Sequence, residues 1–592
     1  MYLDQINNPD DLKKLSLSEC ETLAAEIRTL LVKKTSKKGG HLSSNLGIVE
    51  TTIAIHYVFS SPTDKIVFDV SHQCYTHKIL TDRKDAFIDE DKYQFVNGYT
   101  NPEESVHDNF RVGHTATSIS LAAGLAKARD LSNADYSVVA LIGDGSLSGG
   151  QALEGLDYVG SEIKGNLVII FNDNQMSIAE NHGGMYKNLQ ELRDSKGTCT
   201  NNLFKAFGLD YLYVEDGNNV EQVVSALKIA KSKNHPIVLH ICTEKGHGVK
   251  FAVENKESTH WVRPFDITTG AELHPFQGER YDRIIRDHLI KKMKEDSKVV
   301  TMIAAVPDAL NFTEEHRLAV GEQFIDVGIA EEHAIAMSAG LAKNGFKPVF
   351  ATMSTFFQRT YDQISQELCI NKMAATLVVV NASVYAANDV THIGIFDIPM
   401  LSNIPNLVYL APTNRQEYID MLDWSIGQKE WPVAIRAPRN GIFDYENYES
   451  FDYSQLNTYK TVVDGEKVAI IALGDFFQLG EKIQRLLMEK YGFNATLINP
   501  RYITGLDIEK LATLKEKHSV IVTLEDGVLD GGFGQKIASY YGKDNIRVYN
   551  YGLRKEFLDR YDVNEVIQKN RLDENLILED IKDIIELENM RD

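Results

Sequence analysis

Residues 136–145 read YSVVALIGDG, and residues 166–174 read NLVIIFNDN. Each is a short, almost unbroken apolar run that stops on a polar triplet, Gly143-Asp144-Gly145 in the first and Asn172-Asp173-Asn174 in the second. Runs of this kind are strands covered on both faces. Between them GQALEGLDYVGS, residues 150–161, has the spacing of an amphipathic helix, and Gly149-Gly150 opens it. Strand, helix, strand in this order predicts a parallel α/β sheet. In such sheets ligands bind beyond the carboxyl ends of the strands, where both triplets fall.

The triplets carry the chemistry of a metal–diphosphate site. Mg²⁺ takes oxygen ligands in an octahedron and is usually held by a carboxylate or two together with phosphate oxygens. Asp144 offers a carboxylate, Asn174 an amide oxygen and the backbone near Met176 a carbonyl, leaving room for diphosphate oxygens and a water. The helix start at Gly149-Gly150 would aim its free N–H groups at the anion. A lone Gly-Asp-Gly is an ordinary tight turn. The full pattern of strand and triplet, glycine-rich helix start, strand and second triplet is characteristic of thiamine-diphosphate enzymes, so thiamine diphosphate and Mg²⁺ are the expected cofactors.

Outward from this centre the alternation continues. KIVFDV (65–70) and PIVLHICT (236–243) read as further strands, and NVEQVVSALKIAKSK (219–233) as a helix. A polar helix, ERYDRIIRDHLIKKMKEDSK (279–298), precedes a second set of strands: VVTMIAAV (299–306), FIDVG (324–328), PVFATM (348–353), ATLVVV (375–380), LVYLAP (407–412) and PVAIRAP (432–438). NGIFDYENYESFDYSQLNTYK (440–460) is poor in aliphatic residues and reads as a linker. A third set follows in VAIIALG (468–474), ATLINP (495–500), SVIVTLED (519–526) and IRVYNYG (546–552). The prediction is an α/β chain of three domains, residues 1–275, 276–445 and 455–592, each a mostly parallel sheet flanked by helices.

A formal net charge of -22 makes the chain a poor general partner for nucleic acid or an anionic membrane, and any anionic ligand would need a local positive site. Five cysteines, Cys20, Cys74, Cys199, Cys242 and Cys369, are scattered with no CxxC pair, which argues against a structural zinc or a disulfide scaffold. The start MYLDQINNPDDLKKLS lacks the apolar core of a signal peptide, and no apolar run reaches the length of a membrane span. A cytoplasmic protein is expected.

The second chemical signal is Ile329-Ala330-Glu331-Glu332-His333, after the strand-like FIDVG. Thiamine chemistry requires loss of the proton on the reactive ring carbon. A carboxyl against the pyrimidine ring promotes this by favouring the imino tautomer, and a buried carboxyl has the raised pKa that suits such proton exchange. Glu331 is the candidate.

With these motifs in place, nearly the whole chain resembles the 1-deoxy-D-xylulose-5-phosphate synthases, within the transketolase superfamily. The resemblance is carried by Gly39-Gly40-His41-Leu42-Ser43-Ser44, Asp69-Val70-Ser71-His72-Gln73, Tyr75-Thr76-His77-Lys78-Ile79-Leu80 and Val112-Gly113-His114-Thr115-Ala116-Thr117-Ser118. It continues through Ser354-Thr355-Phe356-Phe357-Gln358-Arg359, Thr391-His392 before Gly394, Arg436 with Pro438-Arg439, and Thr523-Leu524-Glu525 before Gly531-Gly532. It implies diphosphate-binding, pyrimidine-binding and transketolase C-terminal domains, and a homodimer. The implied reaction decarboxylates pyruvate and transfers its two-carbon unit to D-glyceraldehyde 3-phosphate. The product, 1-deoxy-D-xylulose 5-phosphate, serves isoprenoid, thiamine and pyridoxal synthesis. By the same resemblance His72, His114, Thr115, Ala116, Gly145, Ser146 and Asn174 would hold the diphosphate end, and Asp144, Asn174 and Met176 the metal. Glu331 would activate the pyrimidine, with Phe356 stacked on it; His41, His260 and His392 would surround the reacting carbons; Arg359 and Arg439 would attract the anionic substrates.

The departures from the family pattern gather on the substrate side. Met353 stands where a Tyr is usual, and Val249 ends a Lys245-Gly246-His247-Gly248 segment that usually closes on Tyr. The loop Asn381-Ala382-Ser383-Val384-Tyr385 lacks the Arg that helps bind the acceptor phosphate, and its acidic residue falls on Asn388 or, shifted by one, on Asp389. The stretch from Asn174 to Lys245 is also short. A related carboligase with another acceptor aldehyde or a ketose donor is the alternative these changes leave open.

Overall fold

The computed structural model describes residues 1–592 apart from Asn388, Asn447 and Met590–Asp592. Two compact units are formed: Met1–Gln277 with Gly328–Ala330, and Gly278–Val327 with Glu331–Asp592.

In the first unit the strands are β1 (Gly40–His41), β2 (Lys65–Phe68), β3 (Val138–Gly143), β4 (Val168–Asp173), β5 (Asp210–Val214), β6 (Ile237–Cys242) and β7 (Trp261–Val262). β2 to β6 form one parallel sheet in the order β2-β3-β4-β6-β5, while β1 and β7 pair as a small antiparallel ribbon. The apolar run of β3 serves two cores at once, because successive side chains point to opposite faces. Val139 and Leu141 join the core containing helices Leu17–Lys38 and Val220–Lys231, while Val138, Ala140 and Ile142 join that of helices Ser118–Ser132 and Gly150–Glu162. This double burial is why the strand shows no polar alternation.

The second unit contains β8 (Val299–Ile303), β9 (Phe324–Asp326), β10 (Lys347–Met353), β11 (Thr376–Val380), β12 (Val408–Leu410), β13 (Val433–Arg436), β14 (Lys460–Val463), β15 (Lys467–Ala472), β16 (Thr496–Asn499), β17 (His518–Val528) and β18 (Arg547–Leu553). β8 to β13 make a parallel sheet ordered β12-β13-β11-β10-β8-β9. The remaining strands are ordered β14-β16-β15-β17-β18, parallel except for the antiparallel edge strand β14. The stretch read as a linker is mostly without regular structure, but its aromatics are anchored. Tyr453 is buried against Phe451, Trp424 and Tyr502, and the Tyr502 hydroxyl donates to its carbonyl at 3.0 Å.

A buried charge cluster joins the two sheets of this unit. Arg436, at the end of β13, donates to Asp397 Oδ2 at 2.7 Å and to Asp526 of β17, while the Tyr409 hydroxyl also donates to Asp397. All four side chains are buried. Removing one partner of such a cluster is costly because it strands the others. Arg436→Ala should therefore destabilise this unit by about 3–5 kcal/mol, seen as a lower unfolding midpoint at neutral pH. A midpoint equal to the parent's would show that the cluster holds nothing together.

Among the described residues no helix is long and apolar enough to cross a membrane, and all five cysteines are free thiols.

Candidate active site

In the first unit the two triplets become neighbours because β3 and β4 are adjacent and in register, Gly143 opposite Asn172. The Asp144 N–H donates to the Asn172 carbonyl at 3.0 Å, which fixes the carboxylate just beyond the sheet edge. That carboxylate is buried and accepts from the Gly145 N–H at 3.0 Å and from Asn181 Nδ2 at 2.9 Å. Burial, then repulsion from Asp173, push its pKa up. Asn174 Oδ1 accepts the Met176 N–H at 3.1 Å, folding the second triplet back on itself. Gly149 is required by space, since a Cβ there would lie 2.5 Å from Ala116 Cβ.

Asp173, the middle residue of the second triplet, faces away into a closed cluster. Its Oδ2 accepts from Arg193 at 2.6 Å and shares a 2.9 Å hydrogen bond with His240 Nε2. His240 Nδ1 lies 2.8 Å from the Tyr211 hydroxyl, and Cys242 Sγ lies 3.2 Å from that of Tyr213. Asp173, His240 and Cys242 are close enough to ligate a cation, but Arg193 already supplies the positive charge. Burial also pushes the Cys242 thiol up to about 11, away from the thiolate a metal needs. The cluster is a brace for the end of β4.

Three histidines also meet in this unit, with His72 just beyond the carboxyl end of β2 in the same parallel sheet. The β1–β7 ribbon sets His41 opposite Trp261 and so beside His260. Ring centroids are 4.9 Å apart for His41 and His72, 5.6 Å for His41 and His260, and 5.2 Å for His72 and His260. Burial, then the neighbouring Lys245, His72 and His41, hold the His260 pKa well below the usual imidazole range, so this ring is neutral near pH 7. His72 follows Val70 and Ser71, both left-handed at φ 57° and 65°. Positive φ at a β-branched residue is uncommon and strained, and such strain collects at functional sites. Asn45 clamps the trio by donating to the carbonyls of His41 at 2.9 Å and His72 at 2.8 Å. Asp69 carries the His114-Thr115-Ala116 turn. Its carboxylate accepts the N–H groups of Ala116 at 2.9 Å and Ser118 at 3.0 Å, and Ser146 also hydrogen-bonds to it.

In the second unit Glu331 begins helix Glu331–Lys343 and is buried. Arg359 Nη1 lies 3.5 Å from its Oε2, close enough for charge attraction but too far for a good hydrogen bond. Oε2 has no hydrogen-bond donor among the described residues. Burial raises the Glu331 pKa, opposed by Arg359. Phe356 stands edge-on to His392, ring centroids 5.7 Å apart. Thr355 Oγ1 donates to the Thr391 carbonyl at 3.1 Å, which joins the end of β10 to the turn bearing His392. Asp389 accepts from Thr391 Oγ1 at 2.6 Å and lies 3.7 Å from His392 Nδ1. Burial pushes this carboxyl up, but His392 and Thr391 outweigh it and hold its pKa low. Asn388 lies outside the described residues.

Arg439 follows β13, and its N–H and that of Asn440 donate to Asp475 Oδ2 at 2.9 and 3.1 Å. Its half-buried guanidinium has no ion pair or hydrogen bond among the described residues. Asn381 caps β11 in a left-handed conformation at φ 56°, and Ala382 beside it is buried.

Sequence reasoning missed Asn45 and Asn181 and gave Asp69, quoted within a motif, no role; all three act through the residues they hold. It also passed over Tyr99, whose ring centroid is 5.7 Å from that of His41.

The residues present fit the expected cofactor. A buried carboxylate oxygen without a donor suits a pyrimidine nitrogen, and a buried Asp144 raised by burial and by its acidic neighbour suits a divalent cation. Fold and site together define an α/β enzyme of the transketolase class. Its central and C-terminal parts match the transketolase pyrimidine binding domain over residues 280–442 and the transketolase C-terminal domain over 458–566. Its N-terminal part matches 1-deoxy-D-xylulose-5-phosphate synthase over residues 3–200 and 194–243, two pieces that meet within the shortened stretch. The 1-deoxy-D-xylulose-5-phosphate synthase of Caldanaerobacter subterraneus subsp. tengcongensis is 37% identical, covering 98% of each chain. That of Lachnoclostridium phytofermentans is 38% identical, also over 98% of each, and that of Listeria monocytogenes 36%, over 99% of this chain and 98% of its own. The chain belongs to the 1-deoxy-D-xylulose-5-phosphate synthase family.

Proposed function

We propose that the chain removes CO₂ from pyruvate and joins the remaining two-carbon unit to D-glyceraldehyde 3-phosphate, giving 1-deoxy-D-xylulose 5-phosphate. The observation that carries this reading is likeness to named synthases over 98% of the chain, which itself holds Asp144, Asn174 and Glu331. Thiamine diphosphate with Mg²⁺ would supply the reactive carbon that takes up the two-carbon unit. Asp144, Asn174 and the Met176 carbonyl would hold the metal; His72, His114, Thr115, Ala116, Gly145 and Ser146 would line the diphosphate; Phe356 would offer a flat ring to the pyrimidine. Glu331, kept protonatable by burial, would exchange a proton with that ring. His41, His260 and His392 would hold or donate protons at the substrate oxygens. The family likeness also supports a homodimer, which sedimentation would show as a species of twice the chain mass.

Arg439 is the candidate for the acceptor phosphate, because its half-buried guanidinium feels Asp282 and Asp475 but makes no ion pair or hydrogen bond among the described residues. A hydrogen bond to a charged group is worth about 1.5–3 kcal/mol, so Arg439→Ala should raise KM for glyceraldehyde 3-phosphate by about 10- to 100-fold. CO₂ release from pyruvate alone should stay near the parent rate. Partial burial also screens this contact less than an exposed pair. A restored loop arginine would force a charge into a buried position at either Ala382 or Asn381, and at Asn381 the left-handed backbone adds strain, so neither position readily takes the missing arginine. The deciding experiment offers pyruvate with glyceraldehyde 3-phosphate or plain glyceraldehyde and follows CO₂ and ketose. Preference for the neutral aldehyde in the parent would overturn the proposed acceptor.

A further inference from the structure

We propose that Tyr99 is a wall of the reaction chamber and limits the length of the aldehyde the enzyme accepts. The proposal rests on the reading of His41, His72 and His260 as the groups that face the reacting carbons. Tyr99 extends that cluster by a fourth ring. It stands edge-on to His41, centroids 5.7 Å apart and planes at 71°, and is itself buried.

Tyr99 lies outside any helix or strand, where side chains are ordinarily mobile. Here the backbone on both sides is tied to buried groups. Before it, the Asn97 N–H donates to Glu104 Oε1 at 2.6 Å, and Glu104 Oε2 is held at 2.5 Å by Lys78, a fully buried ammonium. Asn97 Oδ1 in turn accepts the Tyr99 N–H at 2.9 Å. After it, the Thr100 N–H donates to Ser71 Oγ at 2.9 Å, and the Asn101 N–H to Asp108 Oδ2 at 2.7 Å. Asp108 is gripped by Arg83 through both oxygens, at 2.6 and 2.9 Å.

Ser71 fixes the segment most directly. It is fully buried in a left-handed conformation, φ 65°, where a glycine would be unstrained. Its hydroxyl compensates by joining two loops, accepting from Thr100 and donating to the Val112 carbonyl at 2.7 Å. One strained residue thus locates His72 by sequence, the turn toward His114 by one hydrogen bond and the Tyr99 segment by the other. An aromatic ring fixed in this way has few rotamers to escape through and acts as a rigid boundary.

The test uses holoenzyme with thiamine diphosphate, Mg²⁺ and pyruvate, and compares kcat/KM for D-erythrose 4-phosphate with that for D-glyceraldehyde 3-phosphate. The longer aldehyde adds one carbon, and a size difference of that order in a pocket shifts discrimination about 10- to 200-fold. Tyr99→Leu should raise the ratio by at least about tenfold, and Tyr99→Trp, which retains aromatic packing on His41, should lower it. If the leucine variant fails to fold, the tryptophan variant decides alone. A parent that makes ketose, with the ratio unmoved in the folded variants, overturns the wall. Equal loss for both aldehydes together with slower CO₂ release from pyruvate alone also overturns it, by showing that the ring merely supports His41. A parent that makes no ketose from either aldehyde overturns the functional reading as well.

Discussion

Asp144→Ala is expected to abolish Mg²⁺-dependent retention of thiamine diphosphate. The carboxylate lies at the carboxyl end of β3, beside the start of the second triplet, and is shielded from solvent. Its hydrogen-bond donors are the Gly145 N–H and Asn181, which orient it, and the attraction of Lys245 does not outweigh burial and the repulsion of Asp173. A divalent cation would supply the missing charge. Changing a residue that only supports a metal ligand typically costs about 10- to 100-fold in metal affinity; removing a charged ligand should cost at least that, and cofactor affinity should follow. Asn181→Ala should fall within the smaller range, because it loosens the carboxylate and leaves its charge. Calorimetric titration of apo-protein with thiamine diphosphate, with and without Mg²⁺, separates these cases. Equal metal-dependent binding by parent and Asp144→Ala would remove the metal assignment.

How much of this was legible depends on whether the relevant contacts are local. The strands that end in the two triplets were readable because double burial makes them apolar throughout. Their adjacency follows from a short crossover helix. The pairing of His41 with His260 was not readable: it depends on a two-residue ribbon between distant segments, too short to leave a periodic signal. Val70 and Ser71 gave no hint of left-handed backbone, because neither is a residue type that favours it. Asn45 and Asn181 look in the sequence like any surface polar residues, and Asp69 stands in a quoted motif without a role; only the folded hydrogen bonds show that they hold catalytic candidates. Arg436 and Arg439 differ in role although three positions apart. The first is locked between Asp397 and Asp526, and the second makes no ion pair among the described residues. Their sequence context, Arg-Ala-Pro-Arg, cannot separate an ion-pair brace from a ligand site, because the carboxylates that decide come from other elements.

Glu331→Gln is expected to keep the fold and cofactor binding while slowing the chemistry severely. Glutamine matches the shape of the side chain and can still hydrogen-bond, but it cannot exchange a proton at neutral pH. A positioned acid–base group contributes about 10²–10⁴-fold, so both turnover and hydrogen–deuterium exchange at the reactive carbon of bound thiamine diphosphate should fall by that factor. Stability should respond differently. Burial raises the Glu331 pKa despite Arg359, so the net folded-state pKa lies above the unfolded one. A carboxyl shifted in that direction weakens the fold once pH exceeds its unfolded pKa, and the penalty is relieved as pH falls back through that range. Removing the charge should therefore leave the melting temperature of the apo-protein at pH 7.5 unchanged or higher. A side chain that costs stability and supports rate is the pattern of a functional group; one that supports packing shows the reverse. If exchange at the reactive carbon proceeds at the parental rate, another group activates the ring. If the melting temperature drops sharply instead, Glu331 belongs to the scaffold, held there by its charge pairing with Arg359.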